Sequence, residues 1–388
     1  MKLISLFLVL LSLIKSEHTV RVCLIETDQA VEITFSGFAV LYSEEARFQL
    51  NDQNAPISLK RDGQQIVFDG KGIKKRYLIF QAGTPFYMDV TNRSNYIILN
   101  GQYYENNRLE FRLGKDNKIQ VIATVPLEDY VRNVVPNEIR TNRPEELEAI
   151  KAQSIAARSY VLNNTNKYGF FDVYADVRDQ VYKSSKRENT LVNEAITATR
   201  GQFLSFNGQM IDARYCSSMG GMRERPYYLG TESAITLSMY YNGKFLGQES
   251  DNYRWTWKFK ANDLIYLFSS YSGQLVATDS TQAATIDLNV LERSEAGRVV
   301  RLEVKVDDKR IELQNLDIRR FFRQNDRLLP SRLFYLTVIE DEVILNGAGY
   351  GHGQGMGQWE AIDLARQGIG YKEILSLFYP QTEIKVIK

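Results

Sequence analysis

Over residues 20–122, apolar and polar positions alternate in short runs: VEITFSGFAVLYS, SLKRDGQQIVFDGKG, RYLIFQAG and YIILNGQYYENNRLEFRLGKDNKIQVIAT. A period of two puts one set of side chains on a core face and the other in solvent, so this part is predicted to be β-rich. Asp62-Gly63, Asp69-Gly70, Asn100-Gly101 and Gly114 mark the expected turns. The period then changes. Leu127, Tyr130, Val131 and Val134 recur at the three-and-four spacing of an amphipathic helix, which Pro136 is expected to end near Val135, with Glu138 just beyond it. A second helix is predicted at once, capped by Thr141 or Asn142, with Pro144 in its first turn and Glu145 and Glu146 at the positive end of its dipole. It runs to about Leu162 with a buried stripe of Leu147, Ile150, Ile155 and Leu162. Lys151, Ser154 and Arg158 share another face, read either as a solvated charged face or as a line of cations leading away from Glu138.

Further on, the pattern predicts a helix over residues 189–199 stopped at Gly201, and a hairpin QFLSF/QMIDARYC around Asn207-Gly208. Residues 217–221 form a small-residue loop whose backbone a ligand can approach closely. Residues 223–345 form a second mixed segment, with RWTWKFKANDLIYLFSSYS as a strand entering a helix and AGRVVRLEVKVDDKRIEL as a hairpin. Trp255 and Trp257 share a strand face, for core packing or as a platform for a sugar ring. Six of the 25 glycines, at 347, 349, 351, 353, 355 and 357, fall in eleven positions. Read as extended, this stretch has one bare face, open to another backbone or a flat sugar, and one carrying Tyr350, His352, Gln354, Met356 and Gln358. Two short helices, over residues 359–366 and 372–378, close the chain.

Composition changes the picture in three places. A length of 388 residues with 44% hydrophobic content supports a large core and two or three domains. A net charge of +1 and the lack of a Lys/Arg run argue against a nucleic-acid partner. At the N-terminus, Lys2 precedes an apolar run over residues 3–14, the pattern of a secretory signal and too short for a membrane span. Ile14 stands where a cut after Ser16 prefers a small residue, so residues 1–16 are a signal peptide or an uncleaved anchor tethering the chain to a membrane. Either way the remainder is expected to be extracytoplasmic. There a disulfide between Cys23 and Cys216 is chemically allowed, two free thiols being the alternative.

The candidate chemistry narrows by elimination. His18 lies at the signal junction, so His352 is the one secure histidine, which argues against a zinc hydrolase. No Gly-x-Ser-x-Gly occurs, while a Cys216/His352 dyad stays open as a hydrolase. Glu138, flanked by Val134, Val135 and Ile139, is a candidate general acid, since desolvation favours its protonated form whereas nearby cations oppose it. A glycosidase ordinarily needs a second carboxylate; Glu128 and Asp129 are the nearest in sequence.

Four ordered blocks, VPLEDYVRNVVPNEI, ELEAIKAQSIAARSYVL, ATRGQFLSFNGQMIDARYCSSMGG and GYGHGQGMGQWEAIDLARQGIGYKEILSLFYP, resemble the SpoIID/LytB family, the stage II sporulation protein D group. The resemblance implies an α+β chain with a β-rich region over residues 17–118 and a mixed α/β SpoIID-like catalytic domain over 119–388, with a poorly matching β-rich insertion over 223–345. It implies a lytic transglycosylase that cleaves the bond between N-acetylmuramic acid and N-acetylglucosamine in peptidoglycan glycan strands freed of stem peptides by amidases. Glu138 would be the acid/base, the C6 hydroxyl of the sugar supplying the nucleophile and closing an anhydro ring. Substrate contacts would come from Lys151, Gln153, Arg158, Tyr160, Cys216, Ser217, Gly220, Gly221, Tyr350, His352, Gln354, Met356 and Gln358. Family members also serve as enhancers of cell-wall amidases, so an amidase is the expected protein partner. The family usually shows His where Cys216 stands, Ser where Gly357 stands and Tyr where Trp359 stands. With one Cys and one His in these blocks, neither a metal nor another cofactor is expected.

Overall fold

The computed structural model describes residues 18–387 except 45–46, 53–54, 71–77, 82–84, 92–95, 106–107, 141, 185–188 and 274–284. It is an α+β structure in two compact units, Met1–Thr141 with Ala157–Phe203 and Val386–Lys388, and Asn142–Ala156 with Leu204–Lys385. The apolar segment at residues 1–16 lies outside the described residues. Among those described, no helix is long and apolar enough to cross a membrane.

In the first unit the alternating runs form two sheets. One orders Val173–Tyr174, Thr19–Thr27, Ile119–Pro126, Arg108–Leu113, Phe86–Thr91, Phe38–Tyr42 and Arg47–Asn51. The other orders Gln102–Glu105, Tyr96–Leu99, Val31–Phe35, Ile57–Asp62, Gln65–Gly70 and Leu78–Gln81. Phe68 of the second sheet meets Phe86 and Phe111 of the first edge to face, at 4.8 and 5.8 Å, and all three are fully buried. The two sheets therefore close on each other through aromatic rings. The Asn100-Gly101 turn is a two-residue hairpin with both residues at positive φ, as its dipeptide predicts. The Asp69-Gly70 turn runs into residues outside the described set.

The strand Ile119–Pro126 leads directly into the helix Leu127–Glu138, which buries Leu127, Tyr130, Val131, Val134 and Val135. Pro136 does not end this helix; it sits inside the last turn, and Glu138 is the final helical residue rather than one beyond it. Proline withholds a single donor. The turn continues because the Asn137 side chain donates to the Asn133 carbonyl (2.7 Å) and the Ile139 amide donates to the Val135 carbonyl (3.0 Å).

The next helix starts as a 3-10 turn, Pro144–Glu146, and continues as Leu147–Asn163. The expected one-sided stripe is wrong for its middle: residues 152–161 are all buried. Alanines at 149, 152, 156 and 157 let neighbours close in around the whole circumference.

In the second unit, one sheet orders Trp255–Lys260, Glu342–Gly347 and Phe334–Ile339, and another orders Ile286–Arg293, Val299–Val306 and Lys309–Gln314. With the helices Ala261–Ser272 and Leu316–Phe321 they enclose a core of Phe259, Leu264, Phe268, Leu302, Phe321, Phe322 and Leu345. Tyr215–Cys216 pairs in parallel with Met356–Gly357, which joins the small-residue loop to the glycine-rich stretch. The helices Gln358–Arg366 and Tyr371–Phe378 follow, as the pattern predicts.

Candidate functional site

In the first unit, Glu138 ends its helix half-buried, and the Val181 amide donates to its Oε1 at 2.6 Å. Residues 173–182 cross this helix end. There the Tyr130 and Tyr182 rings stack at 5.5 Å, with Tyr104 stacked on Tyr182 at 6.5 Å, and the Tyr130 hydroxyl donates to Gln180 Oε1 at 2.8 Å. Burial first, then the Asp179 and Glu138 carboxylates, push the Tyr130 phenol well up, so it stays a neutral donor. Tyr160 points into the same cluster, its hydroxyl donating to Asp179 Oδ1 (2.7 Å), which also takes Lys167 Nζ (2.6 Å). The structure thus brings Glu138 and Tyr160 into one tyrosine-rich neighbourhood.

Arg158 has a different setting. It is fully buried, and its Nε and Nη2 donate to Glu128 Oε1 and Oε2 at 3.0 and 2.7 Å, a two-pronged pair. The same carboxylate accepts the Gly201 amide at 3.1 Å. Arg158 is therefore neither on a solvated face nor in a line of exposed cations. Ser154 is likewise buried and donates back to the Ile150 carbonyl at 2.8 Å. Of the two acids nearest Glu138 in sequence, Glu128 is committed to buried Arg158, whereas Asp129 forms an exposed pair with Arg132.

In the second unit, Lys151 pairs with Glu148 at 2.6 Å. Gln153 is fully buried, and neither its Oε1 nor its Nε2 has a hydrogen-bond partner among the described residues.

The glycine-rich stretch is not an extended ribbon. Glycines 349, 351, 353 and 355 all take positive φ, which coils the chain and removes the common face on which residues 350–358 were placed. The space vacated by missing side chains is filled by the protein itself. A Cβ on Gly347 would meet the Trp255 ring at 2.1 Å, and one on Gly353 the Arg298 guanidinium at 2.1 Å. Of the candidate contacts, Cys216, Gly220, Gly221, Met356 and Gln358 are buried, whereas Tyr350 is exposed and Ser217, His352 and Gln354 are half-buried. Gln354 accepts from Arg214 (2.9 Å) and its amide donates to His352 Nδ1 (3.0 Å).

This setting disfavours the thiol-imidazole dyad. Burial, then Glu360, pushes the Cys216 thiol up to about 12, so a thiolate nucleophile is scarce at neutral pH. Burial and the cations Arg214, Arg298 and Arg319 push His352 down to about 4. Cys23 and Cys216 are both free thiols.

Two residues that the pattern did not single out organise this region. Arg298, 1% exposed, donates to the Met219 and Met222 carbonyls at 3.0 and 2.7 Å. Glu360, fully buried, accepts from the Met219 amide (2.9 Å) and the Ser218 hydroxyl (3.3 Å) through one oxygen; the other is without a hydrogen-bond partner among the described residues. An acid in the first turn of a helix reads as an ordinary complement to the dipole, so only the glycine three residues before it hinted at its role. A Cβ on Gly357 would lie 2.1 Å from Glu360 Oε2. The departure at 357 is thus explained: the Glu360 carboxyl fills the volume a serine would need. Gly357→Ser is expected to cost about 1–3 kcal/mol by overpacking, and adding Glu360→Ala to recover most of it. Urea midpoints of the two single variants and the double variant measure this coupling, and simple additivity would contradict it.

Residues 115–206 match the family model described as Stage II sporulation protein (SpoIID), and residues 221–355 match a domain of unknown function, DUF8618. An uncharacterized protein of Brachyspira hyodysenteriae is 26% identical over 380 residues, covering 95% of this chain and 93% of that protein. An amidase enhancer of Bacillus subtilis is 26% identical over 296 residues, 66% of this chain, which spans 40% of that relative's length. Stage II sporulation protein D of Bacillus subtilis is 25% identical over 290 residues, 68% of this chain and 76% of that protein. Glu138 and the helix that carries it lie inside the matched segment, and these similarities, at 25–26% identity, support membership in the SpoIID/LytB-like family of amidase-enhancer and sporulation protein D homologues.

Proposed function

We propose that this protein is an extracytoplasmic peptidoglycan-binding partner of a cell-wall amidase, engaging glycan strands without cutting them. The observation that carries this reading is the similarity to an amidase enhancer over 66% of the chain. The binding of Glu128 to buried Arg158 agrees with it, since that acid is not free to act as the second carboxylate of a usual glycosidase pair. A second reading, lytic cleavage of the bond between N-acetylmuramic acid and N-acetylglucosamine, is favoured by Glu138 itself, a half-buried acid held by the Val181 amide in a tyrosine-rich neighbourhood. There one acid acts, protonating the glycosidic oxygen.

The test combines purified protein, stem-peptide-free glycan strands and an amidase with its own intact substrate. Amidase turnover is expected to rise on addition of the protein, strand masses to stay unchanged, and Glu138→Gln to behave as the native chain. Anhydro-sugar ends that appear with the native protein alone and vanish in Glu138→Gln would transfer the assignment to the lytic reading.

A further inference from the structure

In the second unit the strand Phe334–Ile339 lies at the outside of its sheet and pairs on one side only, with Glu342–Gly347. The Ala348 amide donates to the Leu333 carbonyl at 2.9 Å, and along an antiparallel pair the backbone groups alternate between the two sides. Phe334, Leu336 and Val338 therefore direct their N–H and C=O outwards. At Phe334 the outward carbonyl accepts from Arg293 Nη1 at 3.0 Å. The backbone groups of Leu336 and Val338 have no hydrogen-bond partner among the described residues.

Such an edge invites another chain, and proteins ordinarily guard it with charges, proline or bulges. The other outer strands of the two sheets around this core follow that rule. Trp255–Lys260 carries Lys258 and Lys260, and Lys309–Gln314 carries Lys309, Arg310 and Glu312. Ile286–Arg293 carries Asp287 and Glu292 and breaks register between Val290 and Glu292. Phe334–Ile339 reads FYLTVI, with no charge, no proline and an unbroken register. Tyr335, Val338 and Ile339 on it are 74%, 51% and 54% exposed. An uncharged six-residue run of β-favouring residues is the kind of segment that pairs with another strand.

The charges at its two ends select the partner. Exposed Arg293 sits at the first residue, its guanidinium over the Tyr335 ring at 5.2 Å and its Nη1 on the Gly297 and Phe334 carbonyls. Exposed Glu340 follows the last residue. Neither ion has an oppositely charged partner among the described residues. A strand that is positive at one end and negative at the other complements a second copy of itself laid antiparallel, whereas a parallel copy would put like charges together. We propose that this edge joins two copies of the chain about a two-fold axis at Leu336, their sheets running on as one. Leu336 then faces Leu336, Phe334 faces Val338, Tyr335 faces Thr337, and each Arg293 lies at the other copy's Glu340. The Phe334 carbonyl keeps a lone pair for the incoming Val338 amide beside its bond to Arg293. None of these residues enters the proposed glycan or amidase binding.

Sedimentation velocity of the full chain over about 1 to 500 μM tests this, a range suited to a contact confined to one strand. The native chain is expected to pass from monomer to dimer, and the Leu336 and Val338 amides to exchange several-fold more slowly at the upper end. Val338→Pro withdraws an outward donor at an exposed edge position and leaves the pairing with Glu342–Gly347 in place, so it is expected to stay monomeric. Glu340→Lys and Arg293→Glu each bring like charges together and are each expected to weaken association about tenfold. An equimolar mixture of these two variants is expected to associate at least as well as the native chain, because every cation then meets an acid. Circular dichroism checks that each variant is folded. The apolar N-terminal segment is present throughout, so association through it would persist in Val338→Pro. A native chain that stays monomeric, association that survives Val338→Pro, or a mixture that associates no better than its components would overturn the proposal.

Discussion

Glu128→Ala is expected to lower the stability of the first unit by about 3–5 kcal/mol, the range seen when one partner of a buried ion pair is removed. Arg158 is fully buried and directs two of its donors at that carboxylate, and the Gly201 amide uses it as well. The variant keeps a guanidinium in a desolvated site with the Gln202 carbonyl still bound (2.9 Å) but with the opposing charge gone. A loss this large is a sizeable fraction of the whole stability of a domain. Replacing both charges, Glu128→Leu with Arg158→Met, is expected to recover a good part of it, because the desolvation cost of the two ions leaves together with their attraction. Urea titration followed by circular dichroism gives the magnitudes. Hydrogen exchange should localise the loss to the helix Leu127–Glu138 and the amides near Gly201. A cost under about 1 kcal/mol for the single variant would mean that the pair is effectively solvated.

The same pair shows why parts of the chain were legible in advance and others were not. Hairpins at Asn100-Gly101 and Asn207-Gly208 were readable because a two-residue turn demands positive φ at both positions, a requirement stated within the dipeptide. The helix Thr190–Ala198 was readable for a similar reason, its Asn189 cap accepting the Val192 amide at 3.2 Å. Arg158 was misread as part of an exposed face because its partner stands 30 positions earlier, and helical spacing reports only neighbours three and four apart. The glycine run was misread because glycine at every second position fits an extended strand as well as a coiled chain. What decided between them, Arg298 and Trp255 entering the vacated space, comes from 55 and 92 positions away. Glu138 was legible as a residue to watch, but its contact with the Val181 amide depends on a segment more than forty positions downstream.

Glu360 extends this reasoning to pH. Burial raises its carboxyl from 4.5 to about 7, against the smaller pull of the Met219 amide, the Ser218 hydroxyl and Arg298. Between those two values the folded chain holds a proton that the unfolded chain has released. Its contribution to stability is therefore whole below about pH 4.5 and is lost as pH rises through about 7, the reverse of a carboxylate held by a cation. At about 1.4 kcal/mol per pH unit, the loss is on the order of 3 kcal/mol. Glu360→Gln keeps the shape, accepts from the same amide and cannot ionise. The stability of the native chain relative to this variant is expected to fall by that amount between about pH 5 and about pH 8, read as a shift in urea midpoint. A difference that stays level across the range would show that Glu360 titrates as an exposed acid does.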